Sequence, residues 1–165
     1  MQTPIVCRVQ GWAAGIGLHL VLASDFAIVD RSARLWEPFS ERGFTPDTAG
    51  TWMLPRRIGE TRAREMLLLG EAVSGADAED WGMVHRSAPA DTLDQEVERL
   101  VQRLAEGPTV TLGLTKWLLH AGSSISALEH LQNEAFAMEL SSRSEDFREG
   151  LAAFVEKRAP GFTGR

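Results

Sequence analysis

The spacing of apolar positions changes character partway along the chain. Residues 5–9 are a β-rich run that stops at Gly11, which predicts a strand. Residues 11–17 (Gly-Trp-Ala-Ala-Gly-Ile-Gly) are small and glycine-rich, and predict a tight turn that permits close backbone approach. They lead into residues 18–23, read as a short helix. Residues 26–29 and 33–36 predict two more strands, separated by Asp30-Arg31-Ser32. From residue 47 onward the pattern is mostly helical. A helix over 48–57 is expected to be interrupted at Pro55. A second, over 60–69, carries Ala63, Met66 and Leu67 on one face and stops at Gly70. Ser74 resembles a cap for a brief helix ending at Gly82.

The last third is more regular. Leu93, Val97, Leu100, Val101 and Leu104 recur at helical spacing, behind an Asp91 or Thr92 cap and before Gly107-Pro108. Pro108 suits the first turn of the next helix, which runs to Gly122. Ser126 and Glu129 fit a capping box for a helix ending near Leu140. Ser144 is placed to cap a final helix with Phe147, Leu151, Phe154 and Val155 on one stripe.

Composition narrows the class. The 165 residues suit one domain with a real core, and 44% apolar with 24% charged residues is ordinary for a globular protein. The formal charge is −6, and no basic run exceeds Arg56-Arg57, so a nucleic-acid groove has no electrostatic footprint. No apolar run approaches the roughly 20 residues a membrane span needs. Residues 1–4 lack the features of a signal peptide, and a cytoplasmic protein is the expectation. Cys7 is the sole cysteine, which rules out an internal disulfide and points to a small buried hydrophobe.

Several chemistries are excluded by spacing. Gly11, Gly15 and Gly17 do not fit a dinucleotide fingerprint, and no phosphate-loop Gly-Lys-Ser/Thr or Gly-x-Ser-x-Gly follows. His19, His85, His120 and His130 form no i, i+4 pair, so no metal site is expected; His120 and His130 read as helix-surface residues. What remains is the strand–glycine turn–helix unit. It can aim backbone N–H groups and the positive end of a helix dipole at negative charge, which is half of an oxyanion hole. A plain structural turn accounts for the same residues.

The order of motifs along the chain decides between them. Residues 4–25 (Pro-Ile-Val-Cys-Arg-Val-Gln-Gly-Trp-Ala-Ala-Gly-Ile-Gly-Leu-His-Leu-Val-Leu-Ala-Ser-Asp) resemble the signature of the crotonase, or enoyl-CoA hydratase/isomerase, superfamily. Residues 43–59, Gly70-Glu71, the Ala-Glu-Asp-Trp-Gly-Met-Val at 78–84 and the Ala-Phe-Val-Glu-Lys-Arg-Ala-Pro-Gly-Phe at 153–162 resemble its later blocks in the same order. The resemblance implies an α/β fold: the C-terminal part of a crotonase-like ββα spiral over residues 1–90, then a helical trimerisation region over 91–165. It also implies that roughly the first third of a typical member, with one of the two oxyanion donors, is missing from these residues.

What the resemblance implies for function follows position by position. The substrate is an acyl-CoA thioester, with coenzyme A as part of the substrate and no separate cofactor, and the protein is a homotrimer or homohexamer. Ile16, between Gly15 and Gly17, supplies a backbone N–H to the thioester oxygen as it becomes an enolate. The two carboxylates of family hydratases fall at His19 and Phe39, so neither is a carboxylate here; Glu37, two residues away, is expected to point elsewhere. Asp47 matches the working aspartate of dienoyl-CoA isomerases, ring-epoxide isomerases and aryl-CoA dehalogenases, where a carboxylate facing an apolar pocket shuttles a proton between carbons; it also reads as a helix N-cap. His19 is either a proton carrier near the reacting carbons or a spectator. Phe39 would line the acyl pocket, with Trp12, Trp36 and Trp52 as further candidates. Phe154 and Lys157 match positions that reach CoA. Three readings stand: an isomerase using Asp47, a hydratase with altered acid/base groups, and an inactive acyl-CoA-binding or assembly subunit.

Overall fold

The computed structural model describes residues 2–165. Three strands, β1 (Val6–Val9), β3 (Phe26–Asp30) and β6 (Arg86–Ala88), form a parallel sheet with β3 in the middle. β3 is buried at all but its first position, as a continuous apolar run flanked by neighbours on both sides should be. A second sheet places β4 (Arg34–Trp36) between β2 (Trp12–Ala14), to which it is parallel, and β5 (Val73–Ser74), to which it is antiparallel. β2 corrects the expected turn: only Gly11 and Gly15 bend the chain, both at positive φ, and residues 12–14 between them pair with 34–36.

Between β2 and β3 in sequence lies α1 (Ile16–Ala23). Its residues are almost uniformly apolar, and Leu18, His19, Val21 and Leu22 are buried. α2 (Gly50–Arg64) begins two residues later than expected, because Thr48 and Ala49 both adopt left-handed backbone conformations. The break inside α2 is at Gly59 (φ 77°, ψ 163°) and not at Pro55. Glycine reaches that conformation without a Cβ clash, whereas the backbone at Pro55, the sixth residue of α2, stays helical. A π-helical turn (Glu65–Leu69) follows, ended by Gly70 in the left-handed region. α3 (Gly75–Asp80) is capped by Ser74, whose side chain accepts the Asp77 amide. Leu18, Val29, Leu35, Leu54 and Met66 are among the core residues that join these elements, and Cys7 packs against that core.

The remaining helices are α4 (Leu93–Ala105), α5 (Thr109–Ala121), α6 (Ala127–Ser141) and α7 (Glu145–Glu156). Ser126 and Glu129 form the expected capping box, and Ser144 caps α7. Pro108 is the residue just before α5. His130 departs from the surface reading: its ring is only partly exposed, and its Nδ1 is enclosed without a hydrogen-bond partner. The stripe on α7 is open, with Phe154 at 83% exposure. No helix among the described residues is long and apolar enough to cross a membrane.

Two compact units account for these elements, Ile5–Arg99 and Leu100–Arg165 with the N-terminal residues through Pro4. The first holds both sheets. In the second, the C-terminal segment folds back onto α7. Asp146, 2% exposed, accepts the amides of Thr163 (2.7 Å) and Gly164 (3.0 Å), and Glu149 holds Arg158 and the Gly161 amide.

Candidate active site

Gly15 begins the site. Its backbone (φ 51°, ψ −120°) lies where only glycine is comfortable, and a Cβ there would meet the Phe39 ring at 3.3 Å. The turn is fixed by the Gly15 amide, which donates to the Trp36 carbonyl at 2.9 Å. Ile16 and Gly17 then open α1, so their amides have no acceptor within the helix. The Ile16 side chain is exposed. This is the geometry in which a helix N-terminus can receive an anionic oxygen.

His19 follows one turn later, its amide bonded to the Gly15 carbonyl (2.9 Å). It is 3% exposed and stacks on Phe39, with ring centroids 5.8 Å apart and planes 9° from parallel. Phe44 in turn meets Phe39 edge-on. Across the imidazole lies Gly50, the first residue of α2. A Cβ on Gly50 would sit 2.2 Å from His19 Nε2, so the ring occupies space that only glycine leaves free.

Both imidazole nitrogens are engaged. Nε2 lies 3.0 and 3.2 Å from the two carboxyl oxygens of Glu37. Nδ1 pairs with the Thr48 hydroxyl, which itself donates to Asp47 Oδ1 at 3.0 Å. Glu37 is the surprise. It was expected to point elsewhere, yet it is completely buried and faces His19. The strand explains why. Along β4, Leu35 is buried and Arg34 is exposed; the residue before a proline stays extended, so Glu37 continues the alternation on the face of Leu35. The period-two signal was in the sequence, carried one residue past the apolar run.

Burial sets the proton affinities. It pushes Glu37 up to about 7, with the nearby charge of Asp47 adding to the effect. It lowers His19, against a smaller raising effect of Asp47. Asp47 itself is exposed, so it does not sit within an apolar wall in this chain. Nor does its side chain cap α2: the residue before the helix is Ala49, and no side-chain cap bond forms there.

The first unit thus brings together Gly15, Ile16, Gly17, His19, Phe39 and Asp47, and adds Glu37 and Thr48, which sequence reasoning did not select. Trp36 lies beside Trp12 (centroids 5.6 Å apart) and donates from Nε1 to the Gly70 carbonyl, while exposed Trp52 carries the Arg56 guanidinium over its ring. Phe154 and Lys157 belong to the second unit, at the end of α7. Phe154 is exposed, not core, and Lys157 is the left-handed residue that closes the helix.

Comparison with known proteins gives this arrangement its context. The family model described as enoyl-CoA hydratase/isomerase matches residues 1–165. The 1,2-epoxyphenylacetyl-CoA isomerase of Escherichia coli K12 is 40% identical over 165 residues, covering the whole of this chain and 63% of the relative. The 2,3-dehydroadipyl-CoA hydratase of the same organism is 30% identical, over 98% of this chain and 64% of its own length. A crystal structure of an enoyl-CoA hydratase from Bacillus anthracis superposes with a TM-score of 0.94 at 32% identity, over 99% of this chain and 64% of that one. The chain therefore spans a little under two thirds of the relatives it matches, and it belongs to the enoyl-CoA hydratase/isomerase family.

Proposed function

We propose that the protein containing this chain isomerises the double bond of an enoyl-CoA thioester by proton transfer through an enolate. The Ile16 N–H takes the thioester oxygen as negative charge develops on it, and the α1 dipole adds to that stabilisation. The Asp47 carboxylate removes a proton from one acyl carbon and returns it to another. The observation that carries this reading is the chain of contacts from Asp47 through Thr48 to His19, which ties an exposed carboxylate to the first turns of the helix that Ile16 opens. Phe39 supplies an apolar wall beside His19.

The buried His19–Glu37 pair favours one second reading. It returns an acid to a pocket whose two usual carboxylate positions hold His19 and Phe39, and so supports a hydratase with altered acid/base groups over an inactive subunit. One experiment separates them. The full-length protein is incubated with 2- and 3-enoyl-CoA thioesters in heavy water, and mass spectrometry follows deuterium uptake and water addition in wild type and Asp47→Asn. Isomerisation is expected to fall by about 100-fold or more in the variant. Water addition that survives Asp47→Asn would favour the hydratase.

A further inference from the structure

With the His19 ring neutral, as its burial favours, the hydrogen bonds around it leave little freedom in where the protons sit. Thr48 has one hydroxyl proton, and it is given to Asp47 Oδ1. Toward His19 the same hydroxyl can then only accept, so Nδ1 must carry a proton. A neutral imidazole protonated on Nδ1 has a bare Nε2, which needs a donor. Among the described residues Glu37 is the hydrogen-bonding partner at Nε2, and opposite a neutral imidazole it holds its own proton. The raised proton affinity of Glu37 and the lowered affinity of His19 agree with this count.

We propose that Glu37, as a neutral acid, sets the direction of the hydrogen-bond chain Glu37–His19–Thr48–Asp47, so that every donor points toward Asp47 and one of its oxygens is held while the other is left to act as base. Glu37 is a positioning residue, since it acts on Asp47 through two intervening side chains. When Glu37 ionises, the chain reverses. Nε2–H donates to the Glu37 carboxylate, the Thr48 hydroxyl turns to Nδ1, and Asp47 loses its donor. Apart from the proton that leaves Glu37, the reversal moves one proton within the imidazole and rotates one hydroxyl; no bond between heavy atoms changes.

The groups facing Glu37 are His19 from α1 and Asp47 from the approach to α2. The neighbouring charges turn elsewhere: Arg42 lies over the Trp36 ring, and Glu41 approaches Gly70. Glutamine at position 37 keeps a donor that cannot ionise, and serine at position 48 keeps the hydroxyl that valine removes.

This inference deepens the proposed role of Asp47 and rests on it, so its test has one arm independent of turnover. Nitrogen NMR of histidine-labelled full-length protein reads the His19 tautomer directly. At about pH 6 the expected state is neutral with the proton on Nδ1, changing to Nε2 as pH rises through about 7. Glu37→Gln is expected to hold the Nδ1 form across the whole range. An Nε2 proton or an imidazolium in wild type at about pH 6 would overturn the proposal. In the kinetic arm, wild-type kcat is expected to fall at least about tenfold between about pH 6 and 8.5, and the profile of Glu37→Gln to lack that alkaline limb. Thr48→Val should lower kcat and also remove the limb, with both restored in Thr48→Ser. An alkaline limb unchanged in Glu37→Gln overturns the proposal. Should Asp47→Asn leave turnover intact, the catalytic reading fails, while the NMR arm still decides the direction of the chain.

Discussion

Two carboxyl groups in this chain have opposite fates. Glu37, enclosed beneath β4 and α1, faces one imidazole and is pushed up to about 7 by burial. Glu149, on α7, holds the Arg158 guanidinium at 2.5 and 2.9 Å and accepts the Gly161 amide, and these partners pull it down to about 2. Both are glutamates, and both are hydrogen-bonded. The difference is what surrounds them. Near water, charge-assisted bonds win and the acid becomes a permanent anchor for the tail. Without water, desolvation wins and the acid becomes a group whose proton is held near neutrality, where it can respond to small changes.

Four substitutions test that contrast, beginning with the largest expected effect. Gly50→Ala drives a Cβ into the His19 ring and should cost about 3 kcal/mol in denaturant unfolding, with turnover lost as the ring is displaced. A cost under about 1 kcal/mol would mean that the left-handed turn at Thr48 and Ala49 yields instead.

Glu37→Gln comes next, through pH. Because burial raises Glu37 from 4.5 to about 7, its contribution to stability is present below about pH 4.5 and lost as pH rises through about 7. The loss is on the order of 2 kcal/mol. His19, shifted downward, works in the opposite sense: its contribution is present above 6.5 and lost as pH falls. The difference between wild type and Glu37→Gln isolates the glutamate, and the variant should gain on wild type from about pH 5 to 8. A flat difference would place Glu37 in contact with water.

Asp146→Ala should cost about 1.5 kcal/mol, because it strips the acceptor from the Thr163 and Gly164 amides. Hydrogen exchange at those two amides is expected to accelerate together. Glu149→Gln is expected to have the smallest effect, confined to faster exchange at Gly161 with no movement of the global unfolding midpoint. A global shift would show that the tail clamp holds the unit to which α7 belongs.

Much of this was legible in the sequence, for identifiable reasons. The caps at Ser74, Ser126 and Ser144 announce themselves because the capping side chain and its amide lie within three residues. β3 and the core face of α1 follow from uninterrupted apolar runs. The reading failed where a contact depends on chain segments that meet only after folding. Nothing near Pro55 says that Gly59 will break the helix instead. Glu37 could have been found by carrying the strand alternation one residue past Trp36, but its partner, eighteen positions back in α1, could not. Thr48 gave no sign at all, since its role rests on a left-handed backbone that a threonine rarely adopts. For the same reason, the Asp47 cap was inferred from a residue type rather than from the turn that displaces it.

The contact between Gly50 and the His19 ring also reaches beyond this chain, to how its relatives should vary. An imidazole at position 19 and any side chain larger than hydrogen at position 50 compete for one volume. Across the family the two positions are therefore expected to change together: wherever position 50 carries a methyl or more, position 19 should hold a smaller or differently shaped residue. A search for sequences with histidine at 19, glycine at 50 and glutamate at 37 would gather the relatives in which this buried pair can exist.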